Sequence, residues 1–256
     1  MLNPGDLPFS LEGRLAIVTG GGTGLGFAIA SCFLKAGARV VIAGRRLDVL
    51  QEAAMRLGRN AFAEPFDVTS SSAAAGFAGK IESKYGAANI LVNNAGTHIK
   101  KTIEDTSLAE FRGVMNTHVE GAFSLTQAVV PAMKRSGGGS VLFTASMSAI
   151  IGMPKIVAYS AAKAAYLGMV RSLASELGAD NIRVNAIAPG WIQTSMLDAA
   201  LSGDPERKEK ILSRTPQHRF GRPEDIGWCA VFLCSDAAGF INGTVLPVDG
   251  GASIGF

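Results

Sequence analysis

Short apolar runs alternate with helical patterns from one end of the chain to the other. Leu15-Ala16-Ile17-Val18 is a continuous apolar stretch ending at Thr19-Gly20, the pattern of a strand covered on both faces. A helical pattern follows from about Leu25 to Ala36 and stops at Gly37. Val40-Val41-Ile42-Ala43 reads as the second strand, and a helix with polar and apolar faces runs from about Leu47 to Leu57. Ala61-Phe62-Ala63 leads a third strand expected to end near Asp67. Further strands read at Ile90-Leu91-Val92, Val141-Leu142-Phe143, Val184-Asn185-Ala186-Ile187 and Val245-Leu246-Pro247-Val248.

Helix starts are marked between them. Ser107-Leu108-Ala109-Glu110 has the form of a capping box, in which the serine oxygen and the glutamate satisfy donors of the first turn. Asp204-Pro205-Glu206 and Arg222-Pro223-Glu224-Asp225 put proline at the first helical position with carboxylates at the positive end of the helix. No internal repeat or linker interrupts the alternation. Strand–helix alternation over the whole length predicts one doubly wound α/β domain spanning residues 1–256, with a mainly parallel sheet. Residues 1–10 read as an N-terminal extension. In such sheets ligands bind beyond the carboxyl ends of the strands, so functional residues are expected at strand-to-helix turns.

Composition narrows the class. Hydrophobic residues make up 48% of the 256 and charged ones 18%, which excludes whole-chain disorder. The 31 glycines follow no collagen period. A formal net charge of +3 is too small and too dispersed for a nucleic-acid partner. No apolar run reaches the length of a membrane-spanning helix, and the first residues lack a secretory pattern, so no membrane partner and a cytoplasmic location are expected. Cys32, Cys229 and Cys234 sit inside apolar helical patterns and read as buried hydrophobes; no metal-ligand spacing is present.

Thr19-Gly20-Gly21-Gly22-Thr23-Gly24-Leu25-Gly26 joins the first strand to the first helix. Glycines let the backbone turn sharply and approach a pyrophosphate, whose charge then meets the free N–H groups of the helix. The position of the string, after a buried strand and before a helix, points to a dinucleotide. The carboxylate that would hold a ribose 2′-hydroxyl is missing after the second strand, where Ala43-Gly44-Arg45-Arg46 stands instead. Arginine can hold a 2′-phosphate by bidentate hydrogen bonds, so NADP is favoured over NAD. The other reading makes Arg45 and Arg46 the solvated start of a helix, with Asp48 close by.

Tyr159-Ser160-Ala161-Ala162-Lys163 lies at the start of a helix running to about Leu177, and residues four apart share a helix face. A phenol titrates near 10; a neighbouring ammonium in a partly desolvated cleft, with a cationic nicotinamide close by, would lower that value towards 7 and make Tyr159 a general base. Ser146 follows a strand end and can hydrogen-bond a substrate oxygen as charge develops on it.

These motifs together resemble the short-chain dehydrogenase/reductase family, in its compact single-domain form, from about Leu11 to Gly251. The matching residues are Thr19-Gly20, Gly24, Gly26, Asp67-Val68, Asn93-Asn94-Ala95-Gly96, Asn116, Ser146, Tyr159 with Lys163, Pro189-Gly190 and Val248-Asp249-Gly250-Gly251. The resemblance implies a Rossmann fold and an oxidoreductase. Tyr159 would exchange a proton with the substrate oxygen while the nicotinamide exchanges a hydride. Lys163 would acidify the tyrosine and hold the nicotinamide ribose, and Ser146 would orient the carbonyl. Asn116 would mark the helix that positions a proton-relay water. Gly20, Thr23, Gly24, Leu25 and Gly26 would cradle the pyrophosphate, and Asp67 and Val68 would contact adenine. Asn94, Ala95 and Gly96 would line the cofactor floor, while Pro189, Gly190, Ile192 and Thr194 would border the nicotinamide. Thr23 stands where many NADP users carry a cation, so the selectivity would rest on Arg45 and Arg46.

Two segments should form the substrate pocket: Thr97-His98-Ile99-Lys100-Lys101 and a lid over residues 193–222. His98, Lys100 and Lys101 would suit an anionic or polyhydroxylated small molecule, or simply face solvent. With Ser146-Met147-Ser148 and Thr215-Pro216, they resemble gluconate 5-dehydrogenase and related sugar-acid dehydrogenases, which adds Ser148 to the candidate substrate contacts. The leading expectation is interconversion of a secondary alcohol and a ketone on a sugar acid or polyol. A 3-oxoacyl-thioester reductase would share every catalytic residue. A nucleotide-sensing module without chemistry would not need the complete tyrosine, lysine and serine set. The resemblance also implies a homotetramer, with the apolar end Ala252-Ser253-Ile254-Gly255-Phe256 at a subunit contact.

Overall fold

A computed structural model describes residues 7–255 apart from 195–196 and 199–200. Residues 1–6 of the expected extension, four residues of the expected lid and Phe256 lie outside the described residues. Seven strands form one sheet: β1 Leu15–Thr19, β2 Arg39–Gly44, β3 Ala61–Pro65, β4 Ile90–Asn93, β5 Gly139–Thr144, β6 Ile182–Pro189 and β7 Val245–Val248. Their order is β3-β2-β1-β4-β5-β6-β7, and every ladder is parallel rather than mainly so. The helices are α1 Gly24–Lys35, α2 Leu47–Leu57, α3 Ala74–Tyr85, α4 Leu108–Met115, α5 Gly121–Arg135, α6 Val157–Leu177, α7 Pro205–Ser213 and α8 Pro223–Cys234.

Alternation along each strand sends side chains to two cores. Ile17, Val41, Leu91 and Val141 pack with Phe77, Leu125, Met133, Tyr166 and Val170 of α3, α5 and α6. Ala16, Val18, Val40 and Ile42 pack on the other face with Ile29 and Phe33 of α1 and with Ile226 and Val231 of α8. Cys32 and Cys234 are buried there, and burial pushes both thiols up to about 11, which leaves them unreactive as expected. Cys229 is half-buried.

The third strand stops at Pro65, two residues before the expected Asp67. Phe66 N–H still reaches the Gly44 carbonyl (2.8 Å), but Asp67 then accepts hydrogen bonds from the backbone and hydroxyl of Thr69 and turns the chain. The capping box at Ser107 and Glu110 forms as expected, and Asp204 caps α7 through Arg207 N–H. The strand order reverses between β1 and β4. Their carboxyl ends open the crevice in which this fold binds ligands.

Candidate active site

Thr19 ties the two strands at that crevice. Its Oγ1 donates to the Val92 carbonyl (3.1 Å) and accepts from Asn94 N–H (2.9 Å) and Ala95 N–H (3.0 Å), while Asn94 Nδ2 donates to the Thr19 carbonyl (2.9 Å). Gly20 has φ of 66°, a left-handed conformation that a side chain rarely adopts. A Cβ on Gly26 would stand 2.3 Å from the Gly20 carbonyl, so the first turn of α1 lies directly against the glycine loop. Thr23 caps α1 without a side-chain bond, and no acidic residue occupies the first turn. Unpaired N–H groups and a positive helix end therefore face outward, as a pyrophosphate requires.

Beside this turn lies a cleft of about 460 Å³. Gly20, Thr23, Arg45, Arg46, Asp67, Val68, Ala95 and Gly96 all line it. Arg45 lies near enough to Asp67 to help hold its carboxyl low, behind the larger effect of the Thr69 N–H. Asp48 falls in the first turn of α2 and is not one of the cleft's walls. The shape, the glycine turn and the uncapped helix fit a dinucleotide.

Tyr159 and Lys163 lie one turn apart on α6, with the Lys163 ammonium 5.5 Å from the Tyr159 ring centre. Lys163 is only 3% exposed and donates to the Thr144 carbonyl at the end of β5 (2.5 Å). Ser146, just beyond, hydrogen-bonds Tyr159 and is held by Ser148, whose N–H (3.1 Å) and hydroxyl (3.0 Å) both meet Ser146 Oγ. Thus Ser148 supports Ser146. The expected acidification of the phenol is not found: burial pushes Tyr159 up, with the Ser146 hydrogen bond opposing. Burial also pulls Lys163 down to about 7, so the lysine carries only part of a charge at neutral pH and attracts a phenolate less.

The helix facing this pair is the one that Asn116 was expected to mark. Asn116 opens a π-helical turn over Asn116–Glu120, and its carbonyl is taken by Gly121 N–H. His118, two residues on, is buried and stands edge-on to Tyr159, ring centres 5.6 Å apart. Its only signal in the sequence was a histidine inside a helical pattern.

At the rim His98 is edge-on to Tyr159 as well, at 5.0 Å. Partial burial pushes its imidazole down, with Lys100 and Arg207 adding to the effect. Lys101 is turned aside, pairing with Glu110 at 2.5 Å. Pro189 ends β6 and Gly190 N–H meets the Val248 carbonyl (3.0 Å). Ile192 bridges to Gly221, and Thr194 Oγ1 accepts from Leu197 N–H (3.3 Å). None of these four lines the cleft.

A parallel sheet switching direction beside a glycine turn, with tyrosine and lysine across from it, defines a nucleotide-dependent oxidoreductase. Residues 20–253 match the family model described as enoyl-(acyl carrier protein) reductase. The 7alpha-hydroxysteroid dehydrogenase of Escherichia coli K12 is 41% identical over 244 residues, 94% of each chain. The 3-oxoacyl-[acyl-carrier-protein] reductase of Thermotoga maritima is 36% identical over 248 residues, covering 95% of this chain and 99% of that one. The gluconate 5-dehydrogenase of Burkholderia cenocepacia, solved with NADP and tartrate, superposes with a TM-score of 0.93 at 31% identity, covering 97% and 98% of the two chains. The chain belongs to the short-chain dehydrogenase/reductase family, whose members are NAD(P)-dependent oxidoreductases. Among the described residues no helix is long and apolar enough to cross a membrane.

Proposed function

We propose that this chain is an NADP-preferring dehydrogenase that interconverts a secondary alcohol and a ketone on a sugar acid or polyol. The observation that carries the reading is the joint arrangement of Ser146, Tyr159 and Lys163 with His98 and Lys100 at the rim. Ser146 and Tyr159 offer two hydroxyls to one substrate oxygen. In the direction of reduction Tyr159 gives its proton to that oxygen; in oxidation it takes the alcohol proton and passes it on. Lys163 stabilises the phenolate left by the first of these steps and holds ribose hydroxyls. The nicotinamide, when bound, supplies or accepts the hydride and contributes the positive charge that the half-neutral lysine lacks. Ile192 and Thr194 would hold its carboxamide, while Gly24, Leu25 and Gly26 would hold the pyrophosphate.

Arg45 and Arg46 support NADP, since guanidinium groups on the cleft wall suit a 2′-phosphate and the residue directly after β2 is an arginine rather than a carboxylate. The Lys100 ammonium, close enough to act on His98 at the mouth, supports a substrate bearing a carboxylate, and the tartrate held by the Burkholderia relative is such an anion. Residues 193–222 act as a lid, and four chains assemble into a homotetramer in the cytoplasm. The Thermotoga relative favours a second reading, reduction of a 3-oxoacyl thioester. A panel of aldonates, polyols, hydroxysteroid conjugates and 3-oxoacyl thioesters, followed by nicotinamide absorbance, separates them. Turnover of aldonates or polyols is expected; turnover of thioesters or steroids alone would overturn the proposal.

A further inference from the structure

His118 is 1% exposed, and its carbonyl accepts a hydrogen bond from the Tyr166 hydroxyl at 2.9 Å. Its ring stands edge-on to Tyr159 (5.6 Å, 83°) and to Tyr166 (6.4 Å, 64°). A Cβ at position 96 would fall 2.3 Å from Cε1, so only a glycine there admits the imidazole beneath the cofactor floor. Nε2 lies 2.8 Å from the Thr97 carbonyl and 3.1 Å from Thr97 N–H, whereas Nδ1 has no hydrogen-bond partner among the described residues.

A neutral imidazole carries one proton, so one nitrogen donates and the other accepts. Burial keeps this ring neutral, pushed down to about 3, and the ammonium of Lys163 and the nearby His98 act in the same sense. The remaining titratable neighbours are the two tyrosines. Beside a cationic lysine the favoured tautomer has its bare nitrogen inward. The shorter of the two Thr97 contacts, to the carbonyl, suits a proton on Nε2, and that tautomer leaves Nδ1 a buried acceptor. A buried acceptor without a partner is costly, and the donors in this cluster are the Tyr159 hydroxyl, which the proposed reaction uses, and those of Lys163 not engaged by Thr144.

We propose that His118 is a positioning residue of this site, its Nε2–H anchoring the Thr97 carbonyl and its Nδ1 accepting a hydrogen bond relayed from Lys163 through one water, so that the ammonium stays where it serves Tyr159. The proposal rests on Tyr159 and Lys163 acting as the proposed function has them act. It makes the two ring nitrogens separable. Asparagine can place a polar atom near the Nδ1 position and glutamine near the Nε2 position, whereas phenylalanine keeps the ring and loses both.

With a substrate from the panel, His118→Asn is expected to keep kcat within about fivefold, while His118→Gln and His118→Phe lose about 50-fold or more in kcat, with KM for the nicotinamide cofactor changed less than about threefold. Full activity in the phenylalanine variant would overturn the proposal, as would equal losses for asparagine and glutamine. A second measurement needs neither substrate nor a folded variant. The chain has 3 histidines, so a long-range ¹H–¹⁵N spectrum of histidine-labelled protein resolves each ring. One ring should stay neutral from about pH 5 to 8 with its proton on Nε2. If all three rings titrate in that interval, or the non-titrating one carries its proton on Nδ1, the proposal fails. Should no alcohol or ketone in the panel be turned over, it is the substrate reading that fails, and the spectrum alone decides the role of His118.

Discussion

Lys163 is a buried cation whose surroundings penalise its charge. Among the described residues its ammonium has one hydrogen-bond acceptor, the Thr144 carbonyl, and burial has pulled its titration to about 7. A base whose folded value is depressed weakens the fold most where it is charged in both states, below about pH 7. Stability then recovers as pH rises towards the unfolded value near 10.4. Lys163→Met is therefore expected to abolish turnover while stabilising the fold by about 2 kcal/mol at pH 6, an advantage that shrinks between about pH 7 and 10. Thermal melts across that range check both the gain and its direction. Arg45 offers a second test: Arg45→Asp should cut kcat/KM for NADP by about 100-fold while leaving NAD nearly unaffected. Tyr159 and Lys163 were legible in the sequence because a four-residue spacing on a helix is local. The pairing of Lys101 with Glu110 was not, since a loop cation finds its partner only when the chain folds.

Among the elements, the edge strand β3 is secured by charge. Glu64 is 2% exposed and meets Lys80 at 2.6 Å, Lys84 at 2.8 Å and the Tyr85 hydroxyl at 2.6 Å, all from α3. Burial raises the carboxyl, but these three partners more than offset it and hold the group at about 2. A carboxylate depressed in this way stabilises the fold above its unfolded value near 4.3, and the contribution is lost as pH falls from there towards 2. Glu64→Gln should cost about 2 kcal/mol at pH 7 and almost nothing near pH 2, measured by urea unfolding. Element boundaries could be read where glycine, proline or a cap marks them, as at Leu47–Leu57 and Val245–Val248. The π-helical turn carries no such mark. It adds a residue to one turn, and a histidine inside an otherwise helical pattern gave no sign that its ring would lie beside Tyr159.

At the scale of the whole molecule, strand order decides where chemistry is possible. Between β1 and β4 the strand order reverses, and the glycine turn, the Asn94 clamp and the cleft all gather there. That placement followed from alternating strands and helices; the depth of the cleft and the histidines around Tyr159 depended on tertiary packing no periodicity records. Phe240 and Ile254 are almost fully exposed and Trp228 is half exposed, large apolar surfaces suited to subunit contacts. Light scattering should return four times the mass of the chain, and a stable monomer at working concentration would contradict the tetramer. The most direct test of the catalytic account is the rate of NADP reduction with the preferred alcohol in Tyr159→Phe. A loss of about a thousandfold in kcat, with cofactor affinity unchanged, is the expected result. A rate within about threefold of the parent would contradict it.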